Sequence, residues 1–443
     1  MRTGLSNSKN AFQNTAWLMF GSITRMIIQL IVGAISARYL GPTNYGVLNY
    51  AGAYISLFSI ICELGLTISI VNEIVKDRDN EGLCVGTAIV LRCVTAVFSI
   101  LVLGLLIQII DSGDPQIYRV TLIRSVGLFF ESFYTIAFWY QAKLQSKYTA
   151  VFELIAYAIS ATYKVVILIM QKNVYWFAAA ATIDSAIIAI MFVWGYFRHC
   201  NNPLTFSKVM AKRLIITGLP FIFSGIMVYI YGQTDRIMIG KMMTQTDVGF
   251  YSCAASIGTM VGFIPQAIMN SGKTVIMTAK NENQISYEKS MRNTIAAVFW
   301  TMNIYAMFII LFGKYVILIM YGGEYLAAMS PLCILIWSYG FSYVGTLRNI
   351  WLICEDKKRY ATLFSTIGAI ANILLNLVLI PKYGIRGAAV ATVATQVVTT
   401  FVMPYVFAET RRFAQLLLEG FFLKGVEVKP LIYAVLRRLR KWK

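Results

Sequence analysis

Long apolar runs recur along the whole chain, and they constrain its fold more than any other feature. Each run is about 20 residues long, the length of an α-helix that crosses the hydrocarbon core of a bilayer. Of the 443 residues, 58% are hydrophobic and only 13% are charged, and the mean hydropathy is +0.66. Such a composition is far too apolar for a soluble globular protein. The sequence therefore predicts an all-α polytopic membrane protein.

Charged residues, glycine, proline and asparagine separate these runs into about twelve predicted transmembrane helices. We place them at residues 15–37, 46–70, 86–110, 118–140, 151–171, 174–197, 214–232, 248–270, 294–313, 327–353, 361–380 and 386–408. Most of the 39 Lys and Arg residues lie in the N-terminus, the even-numbered loops and the tail. By the positive-inside rule, both termini are predicted to be cytoplasmic.

A weak internal repeat indicates two halves. The stretch "YLGPTNYGVLNYA" (39–51) follows the first span, and "MIGKMMTQTDVGFYSCA" (238–254) follows the seventh. Both place a glycine, a polar turn and a second glycine before an alanine: Gly41 and Gly46 in one copy, Gly240 and Gly249 in the other. Internal repeats are typical of transporters. The alternative is that both are ordinary corners between membrane helices, which often contain Gly and Pro.

The repeat predicts two six-helix bundles. The predicted regions are a cytoplasmic N-terminus (1–13), an N-terminal bundle (14–200), a cytoplasmic linker (201–213), a C-terminal bundle (214–408) and a basic cytoplasmic tail (409–443). The end of the tail, "PLIYAVLRRLRKWK", has the pattern of an amphipathic helix lying on an anionic membrane surface. A solvated basic tail is the alternative.

Several function classes conflict with the sequence. The net charge of +19 is spread over short loops rather than a soluble domain, so we expect no nucleic-acid partner. The seven cysteines are scattered and there is one histidine, so we expect neither a metal site nor a disulfide framework, and no cofactor. "SGKT" (271–274) lacks the upstream glycine and strand of a phosphate-binding loop, which disfavours an ATP-driven pump.

Three blocks carry a family resemblance: "ARYLGPTNYG", "QTDRIMIGKMMTQTDVGFYSCA" and, most specifically, "LNLVLIPKYGIRGAAVATVAT" (375–395). They resemble the Wzx-type polysaccharide repeat-unit flippases for O-antigen or capsule, which belong to the multidrug/oligosaccharidyl-lipid/polysaccharide exporter superfamily. The resemblance implies two six-helix bundles around a central cavity, in the cytoplasmic (inner) membrane. It implies a transporter, not an enzyme, that moves undecaprenyl-diphosphate-linked oligosaccharides from the cytoplasmic to the outer leaflet. It also implies membrane lipids as partners, with a polysaccharide polymerase machinery as a further candidate.

A carrier of this kind needs cations for the diphosphate and hydrogen-bonding groups for the sugar. In the first span, Ser22, Arg25, Gln29, Gly33 and Ser36 share one helix face. Arg25 lies near the middle of the span, where snorkelling to the interface is difficult. The predicted substrate-binding residues are Arg25, Gln29, Arg124, Lys164, Arg348, Asn372 and Asn376.

Other intramembrane charges have further candidate roles. Glu63, Asp184, Asp235 and Arg236 are the predicted coupling or gating residues. For the cations the alternative is structural: Arg124 would pair with an acid such as Glu131 or Glu153 and fasten helices together. Arg92 and Arg348 each lie within two turns of a span end. We expect Arg92 to snorkel to the interface, and for Arg348 snorkelling is the alternative to substrate binding.

Two other functions remain open. A multidrug or organic-cation antiporter of the same superfamily would be expected to carry a prominently acidic cavity, whereas these spans hold both signs and the more central charge is an arginine. A membrane-embedded glycan polymerase or ligase would be expected to have a large external loop with acidic or histidine chemistry. The external loops predicted here are short.

The predicted topology can be tested with reporter fusions. A reporter that folds only in the cytoplasm, fused after Lys443, is expected to be active because positive charge holds the tail inside. The same reporter inserted at Gly113, in a predicted external loop, is expected to be inactive. The reverse pattern of reporter activity would show that both termini lie outside the cytoplasm.

Overall fold

A computed structural model describes residues 2–200 and 202–426 and shows a helical protein. In these two ranges the secondary structure consists of α-helices, short 3-10 turns and one π-helical segment, without a β-strand. The chain divides into two compact units, Met1–Gly249 and Phe250–Lys443. The prediction of an all-α polytopic membrane protein is confirmed.

The first unit is built from the helices before the boundary at Gly249. They are α1 (Arg2–Glu63), α2 (Leu66–Lys76), α3 (Glu81–Ile110), α4 (Pro115–Ser125), α5 (Gly127–Glu131), α6 (Thr135–Ala142), α7 (Ser146–Ile169), α8 (Val174–His199), α9 (Lys208–Met242) and the start of α10 (Gln245–Thr259). A 3-10 turn, Ser132–Tyr134, joins α5 to α6.

The second unit contains the remainder of α10 and the helices after it. They are α11 (Phe263–Glu282), α12 (Gln284–Met320), α13 (Met329–Cys354), α14 (Arg359–Tyr383), α15 (Ile385–Val397), α16 (Met403–Val406) and α17 (Arg411–Phe421). Between them lie 3-10 turns at Gly323–Ala328 and Ala408–Thr410 and the π-helical segment Val398–Val402.

Every predicted span lies on one of these helices or on consecutive helices separated by short breaks; the span predicted at 118–140 covers α4, α5 and α6. Among the described residues, 10 helices are long and apolar enough to cross a membrane, or 11 if the bent pair α10 and α11 is one span. The first of these, Thr24–Lys76, contains two predicted spans. It bends at Gly41, whose φ of 70° and ψ of 169° are not helical, so a total of about twelve spans is consistent with the structure.

A second break, at Leu64 and Gly65, separates α1 from α2. Leu64 and Gly65 have positive φ values of 52° and 61°. A Cβ built on Gly65 would lie 2.4 Å from the carbonyl oxygen of Gly218, and one built on Gly218 would lie 2.3 Å from that of Leu64. The break therefore lies directly against the backbone of α9, and both glycines are required for that contact.

Each unit has its own core. Large aromatic side chains dominate in the first unit, including the fully buried Trp139, Tyr140, Phe192 and Tyr196. In the second unit the core includes Trp351 and Phe364 and reaches the apolar face of α17. Since a hydrocarbon solvent gives little drive for apolar burial, close packing of such residues supplies the dispersion contacts that hold membrane helices together.

The predicted linker 201–213 has two parts. Residues 203–207 cross the first turns of α3, where Ser207 N donates to Thr87 Oγ1 at 3.1 Å, whereas Lys208 begins α9. Contacts between residues group α9 with the first unit. The predicted division into bundles at 201–213 stays a prediction.

The described part of the predicted tail forms α17. Its apolar face, formed by Phe413, Leu416 and Leu417, is buried. On its other side, Glu419 Oε2 lies 2.8 Å from Arg292 Nη1 of α12. The tail therefore begins as a docked helix. The amphipathic helix predicted at 430–443 lies outside the described residues.

The block "LIPKYGIRGAA" forms the corner between α14 and α15. Gly384 adopts φ 61° and ψ −141°, a conformation that side chains disfavour. A Cβ on Gly387 would lie 2.1 Å from the carbonyl oxygen of Leu379. The two glycines allow the chain to reverse with the backbones of the two helices in contact.

Gly384→Ala and Gly387→Ala are expected to lower the stability of the purified protein, by about 1–3 kcal/mol at Gly384 from backbone strain. Thermal unfolding in detergent would measure the loss. Gly323→Ala is the matched control, because no atom lies within 4 Å of a Cβ built there. If all three variants unfolded at the same temperature, the corner would not depend on these glycines.

Candidate functional site

Arg25 on α1 lies beside an acidic and an aromatic side chain of α7. Its Nη1 is 3.5 Å from Glu153 Oε2, and its guanidinium carbon is 5.8 Å from the centroid of the Tyr157 ring. The Tyr134 hydroxyl donates a hydrogen bond to Glu153 Oε1. The Arg25 side chain is still 36% exposed. Arg25 thus pairs with a carboxylate and remains accessible.

Two further predicted residues join this group. Lys164 Nζ lies 5.8 Å from the same Tyr157 ring, and Asp184 on α8 interacts electrostatically with Arg25, Lys164 and Glu153. Asp184 Oδ1 is buried and has no hydrogen-bond partner among the described residues. We call Arg25, Glu153, Tyr157, Lys164 and Asp184 the Arg25 cluster.

The Arg25 cluster combines two cations with two carboxylates, so its formal charges balance. Opposite charges near one another lower the cost of holding ions in a low-dielectric medium. The Arg25 to Glu153 distance of 3.5 Å exceeds the 2.7–2.9 Å of a strong charge-assisted hydrogen bond. The pair is loose enough for another anion to compete for the guanidinium.

Arg124 and Glu131 belong to a neighbouring group. Arg124 Nη1 donates to the carbonyl oxygen of Leu48 on α1, and a Cβ on Gly52 would lie only 3.0 Å from the same nitrogen. Ser59 donates to Glu131 Oε2 at 2.7 Å, and Arg124 interacts electrostatically with Glu131. These contacts fasten α4 and α5 to α1, which is the structural alternative raised for Arg124.

Arg92 is buried inside the first unit, whereas the sequence predicted that its side chain reaches the membrane interface. It is only 3% exposed, donates from Nη1 to Thr135 Oγ1 at 3.0 Å, and interacts electrostatically with Glu63 and Glu131. The expectation that Arg92 snorkels to the interface is wrong, because its side chain turns inward toward these two carboxylates. We call Arg92, Arg124, Glu131 and Glu63 the Glu131 cluster.

The remaining candidates of the first unit differ in exposure. Gln29 and Glu63 are exposed, Glu63 being the last residue of α1. Asp235, on the last two turns of α9, is buried at 4% exposure. Its neighbour Arg236 donates to Gln233 Oε1. Gating by Asp235 and Arg236 stays a prediction.

In the second unit, Arg348 on α13 is 5% exposed. It donates to the carbonyl oxygen of Thr399 and from Nη2 to Asn349 Oδ1 at 3.0 Å, and its guanidinium carbon lies 5.2 Å from the Phe364 ring centroid. Thr399 belongs to the π-helical segment, where the regular helical hydrogen-bond register is interrupted. Arg348 satisfies a carbonyl of this irregular segment.

Asn372 and Asn376 on α14 are both fully buried. Asn376 Nδ2 donates to Asn372 Oδ1 at 3.1 Å. In this conformation neither amide is accessible to a ligand, because both are enclosed by the second unit. Contact with sugar by these two residues stays a prediction.

The structure therefore brings some of the predicted residues together. Arg25, Lys164 and Asp184 share one cluster, and Arg124 and Glu63 share the other. Glu153, Tyr157 and Lys164 lie on one face of α7, at spacings of four and seven residues, yet Glu153 and Tyr157 are absent from the predicted binding residues. For Arg92, the sequence indicated a position near a span end and did not show which carboxylates its side chain meets.

Comparison with known proteins points to one family. The profile of the family described as polysaccharide biosynthesis protein matches residues 11–276, and the profile described as MatE matches residues 220–378. The chain is 23% identical over 419 residues to a protein of Shigella flexneri named putative O-antigen transporter, covering 86% of this chain and 93% of that protein.

Solved structures share the fold. The chain superposes on the lipid II flippase MurJ in its inward closed conformation with a TM-score of 0.70, at 14% identity, covering 91% of this chain and 90% of MurJ. It also superposes on an inward-facing multidrug resistance transporter of the MATE family with a TM-score of 0.63, at 15% identity, covering 88% and 95% of the two chains. The predicted family resemblance is confirmed.

The two clusters should respond differently to loss of an arginine. Arg92→Met removes a buried cation that interacts with Glu131 and Glu63, and we expect a destabilisation of about 3 kcal/mol. Arg25→Met should destabilise much less, because Arg25 is partly exposed. Thermal unfolding of the purified proteins measures both. Equal losses would contradict the distinction between a structural and an accessible arginine.

Proposed function

The chain belongs to the polysaccharide biosynthesis protein family, and we propose that it is a flippase for lipid-linked oligosaccharides. It would move undecaprenyl-diphosphate-linked units from the cytoplasmic to the outer leaflet by alternating access, without itself being an enzyme. The observation that carries the proposal is the partly exposed, loosely paired Arg25 inside a predicted span. The named relatives, an O-antigen transporter and a lipid II flippase, support the same substrate class.

The chemistry of the Arg25 cluster suits a diphosphate. A guanidinium can donate two parallel hydrogen bonds to a phosphate, and Lys164 adds a second positive charge beside the same tyrosine ring. Glu153 and Asp184 balance these charges in the empty carrier. Diphosphate would replace Glu153 at Arg25, while Tyr134 continues to hold the released carboxylate.

The two carboxylates also suggest how energy could enter the cycle. If Asp184 takes up a proton, the Arg25 cluster gains net positive charge and attracts diphosphate more strongly. The buried Asp184 Oδ1 without a hydrogen-bond partner among the described residues is the atom that would carry this proton. Asp184 is therefore the proposed coupling residue, with Glu63 of the Glu131 cluster as a second candidate.

The proposal places the protein in the cytoplasmic membrane with both termini inside. Its substrate arrives from membrane-bound glycosyltransferases, and its product feeds a polysaccharide polymerase machinery on the outer face. The lipid tail would stay in the bilayer throughout. Only the diphosphate and sugar need a polar path.

The test is complementation of a strain that lacks the gene, scored by surface glycan. Arg25→Ala is expected to lower export roughly tenfold or more, because a charge-assisted hydrogen bond contributes about 1.5–3 kcal/mol. Arg25→Lys keeps the charge but loses the paired donors, so it should retain intermediate activity. Lys164→Gln should also impair export.

Arg38→Ala is the matched control, because Arg38 lies on the same helix, has the same charge and is exposed. All variants must be compared at equal membrane levels. Normal export by Arg25→Ala and Lys164→Gln would refute the diphosphate site. Unchanged glycan with raised drug sensitivity in the deletion strain would instead support a multidrug antiporter.

A further inference from the structure

The two copies of the repeated corner meet in the structure. Thr43 Oγ1 and Thr246 Oγ1 are hydrogen bonded at 2.8 Å, and these residues are 203 positions apart in the chain. Gly46 and Gly249 are separated by the same number of positions, as are Pro42 and Gln245. All six residues lie in the first unit.

The contact is reciprocal. A Cβ on Gly46 would lie 1.7 Å from the carbonyl oxygen of Gln245, and a Cβ on Gly249 would lie 2.0 Å from the carbonyl oxygen of Pro42. Each glycine therefore faces the residue equivalent to the one that its counterpart faces. This is the pattern of a self-complementary, two-fold contact. We call the Pro42, Thr43, Gly46, Gln245, Thr246 and Gly249 group the corner clasp.

Only glycine permits so close an approach. Both distances are far shorter than any contact that a real Cβ could make, so backbone lies against backbone at both positions. Gly46 and Gly249 have no positive φ, so alanine would suit their helical conformation better than glycine. The glycines are required by the contact between the corners, and not by the corners themselves.

A second set of contacts lies beside the corner clasp. Lys241 Nζ at the end of α9 lies 2.5 Å from Asp111 Oδ1, just after α3, and Tyr50 donates to Asp111 Oδ2 at 3.2 Å. A Cβ on Gly240 would lie 2.3 Å from the Tyr50 ring. These residues occupy the same predicted outer end of the chain's helices as the corner clasp.

We propose that the corner clasp is the outer gate of the carrier, which is closed in this structure and must separate when the carrier opens outward. The corner clasp is held by one hydrogen bond between two hydroxyls and by close backbone packing, and a partly exposed ion pair lies beside it. Such a contact can be made and broken in each cycle. The role as a gate rests on the proposed flippase function.

A cysteine pair tests the gate. In Thr43→Cys/Thr246→Cys, the sulfur atoms replace two oxygens 2.8 Å apart, and a disulfide needs sulfurs about 2.05 Å apart. Oxidation is expected to form the linked peptide, found by mass spectrometry, and to abolish glycan export until reductant is added. The single variants control for the natural cysteines. Undiminished export by the fully linked protein would overturn the proposal.

The same cysteine pair tests whether the close approach of the corners depends on glycine at position 46. Adding Gly46→Ala is expected to reduce the disulfide yield several-fold, because the new methyl group overlaps the Gln245 carbonyl and keeps the corners apart. Gly113→Ala is the matched control, since open space surrounds that position. An unchanged yield with Gly46→Ala would show that the corners do not meet through these glycines.

The two proposals can fail separately. The disulfide yield reports the corner clasp without any substrate, so it remains informative if the deletion strain shows no glycan defect. In that case the proposed flippase function would be refuted, whereas the disulfide would still show that the corners meet. A high disulfide yield together with normal export by the linked protein would instead show a contact that exists but does not gate transport.

Discussion

The hydrocarbon core of the membrane solvates neither charges nor free backbone groups, and this constraint governs the structure. Eight intramembrane charges of the first unit are collected into two groups that contain both signs. In the Glu131 cluster, burial and hydrogen bonds fix the arginines in place. In the Arg25 cluster, the ion pair is long and the guanidinium is partly exposed. The same physical requirement, that a charge needs a counter-charge, thus yields one structural and one accessible set.

Close backbone contact is the second consequence of the membrane. Without a strong hydrophobic drive between helices, association depends on close packing, and glycine gives the shortest approach. The structure uses it at Gly65 and Gly218, at the corner of Gly384 and Gly387, and in the corner clasp. In the first two places the contact fixes a helix break or a chain reversal. In the third, the contact lies between α1, just after its bend at Gly41, and the first turn of α10, and we propose that the transport cycle separates them.

Much of the fold followed from the sequence. The predicted spans coincide with helices because apolar length and charged interruptions are properties of the local chain. The polar face of Arg25 was also visible, since residues three and four apart share a side of a helix. Arg92 was misjudged because distance from a helix end does not reveal which side chains lie opposite. Asn372 and Asn376 share a polar face, yet they bond to each other inside the second unit.

The sequence by itself determined that this chain is a helical membrane protein of about twelve spans, with a mid-span arginine and a repeated corner. These are local properties, set by hydropathy, charge and spacing. Only the tertiary structure decided which carboxylate Arg25 meets and that Arg92 is buried. It also decided that the two corners meet through equivalent residues of the repeat. Such pairings join positions far apart in the chain, and no local pattern specifies them, because they depend on how helices are packed against one another.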